Sequence, residues 1–180
     1  MEGVWVRTIP LITDSKNQWE SPCPISNEIN FTDYKYNNRF IKFCKLRPNK
    51  EKERLEIIDI NQKYKNETGL VYLLVVNDKI FKIGETTQTF EKRVSSYNCG
   101  KQKARDKGTC SVTNYYVLQS LLNLNVEIDV YIYVPEKAIF EYLDNTVIET
   151  PESPAKYTER KLTAEFKKEY GRQPIGSIQR

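Results

Sequence analysis

The chain predicts an α+β fold: a small three-stranded antiparallel sheet flanked by helices, behind an N-terminal helical or irregular arm. Three observations predict it. Two β-rich runs meet at a tight polar turn, a third run alternates cleanly, and the remaining apolar residues recur at helical spacing. Three short strands among several helices cannot build a doubly wound parallel sheet, which leaves the antiparallel arrangement. A length of 180 residues suits one domain with an extra arm.

Residues 1–30 are rich in Pro, Ser and Asn with little periodicity, so they read as an irregular arm. From Asp33, a plausible N-cap, Tyr36, Phe40 and Phe43 follow helical spacing up to Arg47-Pro48. Leu55, Ile57, Ile58 and Ile60 form a short apolar stretch whose type the pattern leaves open. Leu70 to Val76 is dense in β-formers, ends at Asn77-Asp78, and is answered by Lys79 to Gly84, a hairpin. Thr86 or Thr87 then caps a helix carrying Phe90, Val94 and Tyr97. Lys101 to Lys107 reads as a basic loop, an insertion spanning about residues 99–110. Thr113 caps a second helix with Val117, Leu121 and Leu124 on one stripe. Val126 to Val134 alternates apolar with polar or aromatic residues, the mark of a half-buried strand. After the break at Pro151-Glu-Ser-Pro154 a last helix holds Leu162 and Phe166. The organisation is an arm with helices over 1–68 for DNA or dimer contacts, and a core over 69–180.

Composition narrows the chemistry. No histidine occurs in the chain, which removes Ser-His-Asp triads, Cys-His dyads and His-ligated zinc. Acid–base work falls to Tyr, Lys, Glu, Asp or water. The cysteines at 23, 44, 99 and 110 form no C-x-x-C pair and read as reduced thiols. The longest apolar run, Leu70 to Val76, is far short of a membrane span, and Met1 to Trp5 lacks a signal-peptide layout, so a soluble cytoplasmic protein is expected. The net charge of +4 is small, and the basic excess sits in residues 69–110.

A cluster of phenol, cation and carboxylate is the remaining route to chemistry. Tyr72 and Lys82 lie on the two hairpin strands, and Arg93 and Tyr97 are four apart on the next helix, hence on one side of it. Two cations with two phenols suit a tetrahedral anion such as a phosphodiester. Register decides whether Tyr72 meets Lys82. With a two-residue turn Tyr72 pairs with Ile83 and Lys82 faces away; a three-residue loop or a bulge brings Tyr72 and Lys82 to one face.

The ordered set Gly69-Leu-Val-Tyr72, Lys79-Ile-Phe-Lys-Ile-Gly84, Lys92-Arg-Val94, Ser96 to Lys101, Gly108-Thr-Cys110, Val117 to Leu122 and Pro174-Ile-Gly176 resembles the GIY-YIG nuclease superfamily, and most of all its small type II restriction endonucleases. The resemblance runs over roughly residues 31–180. It implies that Tyr72 contacts or deprotonates the attacking water, Lys82 replaces the second motif tyrosine and holds the phosphate or that water, Arg93 stabilises phosphate charge, and Tyr97 hydrogen-bonds it. Glu159 on the last helix, with Glu165 as its rival, is the implied ligand of a single Mg²⁺, for which Mn²⁺ can substitute. Leu70 stands where the family has its first glycine, and Glu85 where a basic, polar or imidazole side chain is usual.

What the resemblance implies is Mg²⁺-dependent hydrolysis of double-stranded DNA at a short palindromic site by a cytoplasmic bacterial homodimer, with a companion DNA methyltransferase in the host. Lys101, Lys103, Arg105 and Lys107 are the expected DNA-binding cations. A structure-specific repair or recombination nuclease and a non-enzymatic DNA-binding protein are the competing expectations.

Overall fold

Asn77 and Asp78 both take left-handed φ values, 48° and 62°, the pairing a type I′ turn demands. They close the hairpin of β3 (Leu70–Val76) and β4 (Lys79–Thr86). Every residue of β3 is buried, because both faces of the sheet are covered at this strand. The protein is seen in a computed structural model that describes residues 25–136, 140–141, 147–148 and 153–177. The reading of the first thirty residues as an arm therefore lies mostly outside the described residues, as does Cys23.

The sheet has five antiparallel strands, not the three expected, in the order β2-β1-β5-β3-β4. The α+β class stands; the count does not. The two extra strands are β1 (Ile41–Asn49) and β2 (Arg54–Ile58), and β5 (Ile128–Tyr133) is the alternating run. The helix expected from Asp33 to Arg47 is absent. A short 3-10 turn at Asn37–Arg39 leads straight into β1. Tyr36, Phe40 and Phe43 imitate helical spacing, but Phe40 joins the core on one sheet face and Phe43 the core on the other. Phe40 precedes the strand, Phe43 sits at a β-bulge between Lys42 and Cys44, and pairing with β5 overrides the local pattern.

Two layers cover the sheet. On one face lie α1 (Phe90–Asn98) and α3 (Val112–Leu124), which meet Leu70, Tyr72, Leu74 and Val76. On the other lie α4 (Pro154–Tyr170) and the segment around Tyr34, which meet Val71, Leu73 and Val75. The helix caps fall later or earlier than the sequence suggests. Thr89, not Thr86 or Thr87, caps α1, accepting from Lys92 N, because β4 runs on through Thr86. Ser111, not Thr113, caps α3. The basic loop contains a short helix, α2 (Gln102–Asp106). Strands β6 (Phe140–Glu141) and β7 (Val147–Ile148) form a separate two-stranded pair.

Both sheet edges carry covering contacts, which limits pairing with other chains. At β2 the Asn98 side chain accepts from Leu55 N at 2.8 Å and donates to Leu55 O at 3.0 Å, in the manner of another strand. At β4, Ile80 N donates to Ile29 O and Gly176 N donates to Phe81 O.

Candidate active site

The hairpin register decides whether the predicted residues can meet. The turn is the two-residue form, yet Tyr72 pairs with Gly84 and Leu74 with Lys82, while Val75 pairs with Ile80. Phe81 is the extra residue of a β-bulge between those pairs. Leu74 and Tyr72 alternate onto the same face, so the bulge returns Lys82 to the side of Tyr72.

Gly84 is there for the tyrosine. A Cβ at this position would lie 2.5 Å from Tyr72 Cζ, so only glycine lets the phenol ring lie across β4. The ring is also fixed edge-on by Phe90, with centroids 5.2 Å apart. Its hydroxyl makes a short hydrogen bond with the Tyr97 hydroxyl and accepts from Arg93 Nε at 3.0 Å. Arg93 and Tyr97, one turn apart on α1, also stack, with the guanidinium carbon 4.6 Å from the ring centroid. Tyr72, Arg93 and Tyr97 are thus one hydrogen-bonded unit drawn from β3 and α1.

Burial pushes the Tyr72 phenol above its ordinary value, and the Arg93 charge offsets that only in part. Tyr97 is pushed well up, again chiefly by burial. Burial opposes the charge of Arg93, but the two phenols outweigh it and hold the guanidinium protonated. Lys82 is 6 % exposed, and burial, helped by the Arg93 charge, lowers its ammonium to about 8 despite the pull of Glu159.

Glu159 lies on α4, where Thr163, one turn on, donates to its Oε1 at 3.4 Å. Burial raises this carboxyl, Lys82 draws it down, and Glu85 raises it again. Lys82, Glu85 and Glu159 therefore share one electrostatic neighbourhood. Glu165 does not belong to it: its carboxylate accepts a short hydrogen bond from the Tyr36 hydroxyl. Glu85 Oε2 is buried without a hydrogen-bond partner. Among the described residues, no group of three or more His, Cys, Asp or Glu is gathered closely enough to hold a metal ion. One carboxylate with a second close by is nevertheless a donor set that suits Mg²⁺, which keeps several waters and takes further oxygens from a phosphate.

The basic segment stands apart. Lys101 Nζ donates to Lys52 O at 3.2 Å, and Gln102 N to Glu53 Oε1 at 2.9 Å, so α2 is anchored on the β1–β2 turn rather than on the phenol cluster. Lys103 and Lys107 are exposed, while Lys101 and Arg105 are half-buried. The sequence assigns no role to one neighbour of the site, the turn Pro174–Ser177, whose Gly176 O accepts from Lys82 Nζ at 2.8 Å. The only sequence signal for it was the Pro174-Ile-Gly176 triplet.

No protein-family model and no curated protein matches the chain. Solved structures do. Bacteriophage T4 EndoII, solved as a point mutant, shares 16 % identity, with 81 % of this chain and 97 % of that one covered and a TM-score of 0.52, which is likeness of fold. Restriction endonuclease HPY188I, solved in complex with product DNA, is 41 % identical, with 87 % of this chain and 90 % of that one covered and a TM-score of 0.65. At that identity over nearly the whole of both chains, this protein belongs to the family of restriction endonuclease HPY188I.

Proposed function

We propose that the protein is a nuclease of the GIY-YIG type, a type II restriction endonuclease that hydrolyses double-stranded DNA at a short palindromic site with Mg²⁺. The observation that carries this reading is the cluster of Tyr72, Arg93 and Tyr97 with Lys82 and Glu159 in a chain whose 41 %-identical relative is named a restriction endonuclease and was solved with product DNA.

In this reading the scissile phosphate lies between Arg93 and Lys82, whose charges offset the negative charge that grows on it during attack. Burial makes Tyr72 a poor base, since its phenol stays protonated at neutral pH. Its role is to orient the attacking water and relay a proton, with Tyr97 and Arg93 holding its hydroxyl. Lys82, lowered to about 8, is the group here best able to exchange a proton near neutrality. Glu159 would hold one Mg²⁺, or Mn²⁺ in its place, and the ion would supply Lewis-acid charge at the phosphate. Thr163 orients that carboxylate, and Glu85 adds negative charge beside it.

One such site cuts one strand, so a palindromic duplex calls for a homodimer. Lys101, Lys103, Arg105 and Lys107 would track the DNA backbone. A restriction enzyme of this kind requires a methyltransferase that protects the host.

The test is incubation of the purified protein with unmethylated phage DNA in Mg²⁺ or in EDTA. Discrete fragments in Mg²⁺ alone, lost in Glu159→Gln, are expected. Absence of cutting on any duplex would overturn the reading, and cutting confined to branched substrates would replace it with a repair nuclease.

A further inference from the structure

The triplet Pro174-Ile-Gly176 occupies a place in the molecule that the cleavage chemistry alone does not explain. It forms a turn, closed by Ser177 N donating to Pro174 O at 2.8 Å, that docks on the open edge of β4 at the bulge. Gly176 N donates to Phe81 O at 2.7 Å. The buried Ser177 hydroxyl accepts from Ile83 N and donates to Ile83 O, both at 3.0 Å. The residues on either side of Lys82 are therefore pinned by the turn, and Gly176 O takes one of the three N–H bonds of the ammonium itself.

A bulge is where a strand is held least by its neighbour, because the extra residue has no partner across the ladder. Here the missing constraint is supplied from outside the sheet. Glycine is required at 176 for the same reason: a Cβ would lie 2.5 Å from Phe81 Cε1 and 2.8 Å from Phe81 O, so any side chain would drive the carbonyl away from Lys82. The far side of the turn is tethered too. Arg172 Nη1 lies 2.8 Å from the buried Glu28 carboxylate, and Nη2 donates to Asn27 O.

We propose that the Pro174–Ser177 turn is the seat of Lys82, and that Gly176 and Ser177 are positioning residues for DNA cleavage. The proposal rests on the nuclease reading for its consequence, though not for its geometry. With one N–H committed to Gly176 O, the other two are left for the phosphate and for Glu159. Stabilising the charge that grows on the phosphate requires the ammonium to be held within about 0.5 Å of its productive place, so a loosened ammonium lowers the rate without loosening the DNA.

Single-turnover cleavage at saturating DNA tests it. Ser177→Ala is expected to lower the rate at least about tenfold, with DNA affinity in Ca²⁺ within about twofold of wild type. Ser177→Thr, which keeps the hydroxyl, should recover most of that loss. Gly176→Ala, which keeps Ser177 but displaces the carbonyl, should reproduce it should Ser177→Ala fold poorly. In a Lys82→Met background, adding Ser177→Ala should change the residual rate by less than about twofold. A wild-type rate in Ser177→Ala, or the same loss with and without Lys82, would overturn the proposal. A second readout needs no cleavage. The ¹⁵N ammonium resonance of Lys82, assigned by its loss in Lys82→Met, should broaden into solvent exchange in Ser177→Ala. An unchanged resonance would sink the proposal even in a protein that cuts no DNA, whereas a lost resonance with no cutting by wild type would sink only the nuclease reading.

Discussion

A buried cation weakens the fold that holds it, and Lys82 makes the effect measurable. Its ammonium is lowered from the ordinary 10.5 to about 8, chiefly by burial. Between those values the folded state binds fewer protons than the unfolded chain, so stability rises with pH across that window. Linkage with these two values gives a destabilisation of about 3 kcal/mol at about pH 7, shrinking to about 1 kcal/mol at about pH 9.5. The perturbation is Lys82→Met, which keeps the length of the side chain and removes the charge. The orphaned Gly176 carbonyl in the variant is a cost that does not vary with pH, so it cancels from the comparison. Urea unfolding of both proteins at the two pH values is the assay. Wild type should gain about 2 kcal/mol relative to Lys82→Met between them, the other lysines and tyrosines cancelling. Parallel pH profiles for the two proteins would refute the reasoning, for they would mean that Lys82 titrates alike in the folded and unfolded chains.

Gly84→Ala places a methyl against the Tyr72 ring and should destabilise by about 1–3 kcal/mol, read as a lowered urea midpoint; an unchanged midpoint would show that the ring does not lie across β4. Arg93→Lys keeps the charge but loses the planar fork that holds the Tyr72 hydroxyl, and single-turnover cleavage should fall by about 10²–10³ with DNA affinity little changed. Equal losses of rate and affinity would place Arg93 in binding alone. In a Glu159→Gln background, replacing Lys103 and Lys107 with Ala removes four cations from a dimer and should lower the slope of log affinity against log salt by about 4, equally for all DNA sequences. An unaltered slope would remove α2 from the DNA interface.

The hairpin, the alternating strand and the final helix could be read from the chain because their signals are local. The Asn77-Asp78 turn has the residues that tolerate left-handed φ, the period of two runs through β5, and Ser153-Pro154 opens α4. The absence of histidine and the ordered Tyr72, Lys82, Arg93 and Tyr97 narrowed the chemistry before any fold was known. What pairing decides was not legible. The segment leading into β1 reads as a helix in the sequence because Tyr36, Phe40 and Phe43 keep a helical spacing, and pairing with β5 and β2 makes its second half a strand. The meeting of Tyr72 with Lys82 depends on a one-residue bulge at Phe81, and a shift of one residue reverses every side chain on a strand without changing the composition around it. Glu159, which the sequence resemblance already prefers to Glu165, lies in the electrostatic neighbourhood of Lys82, whereas Glu165 is held by Tyr36. The seat of Lys82 spans 94 residues of chain and exists only once Gly176 reaches the β4 edge. Residue types determine which turns, strands and charges are possible; long-range pairing alone decides which of them share a face, because register and side are set by the partner strand and not by the strand itself.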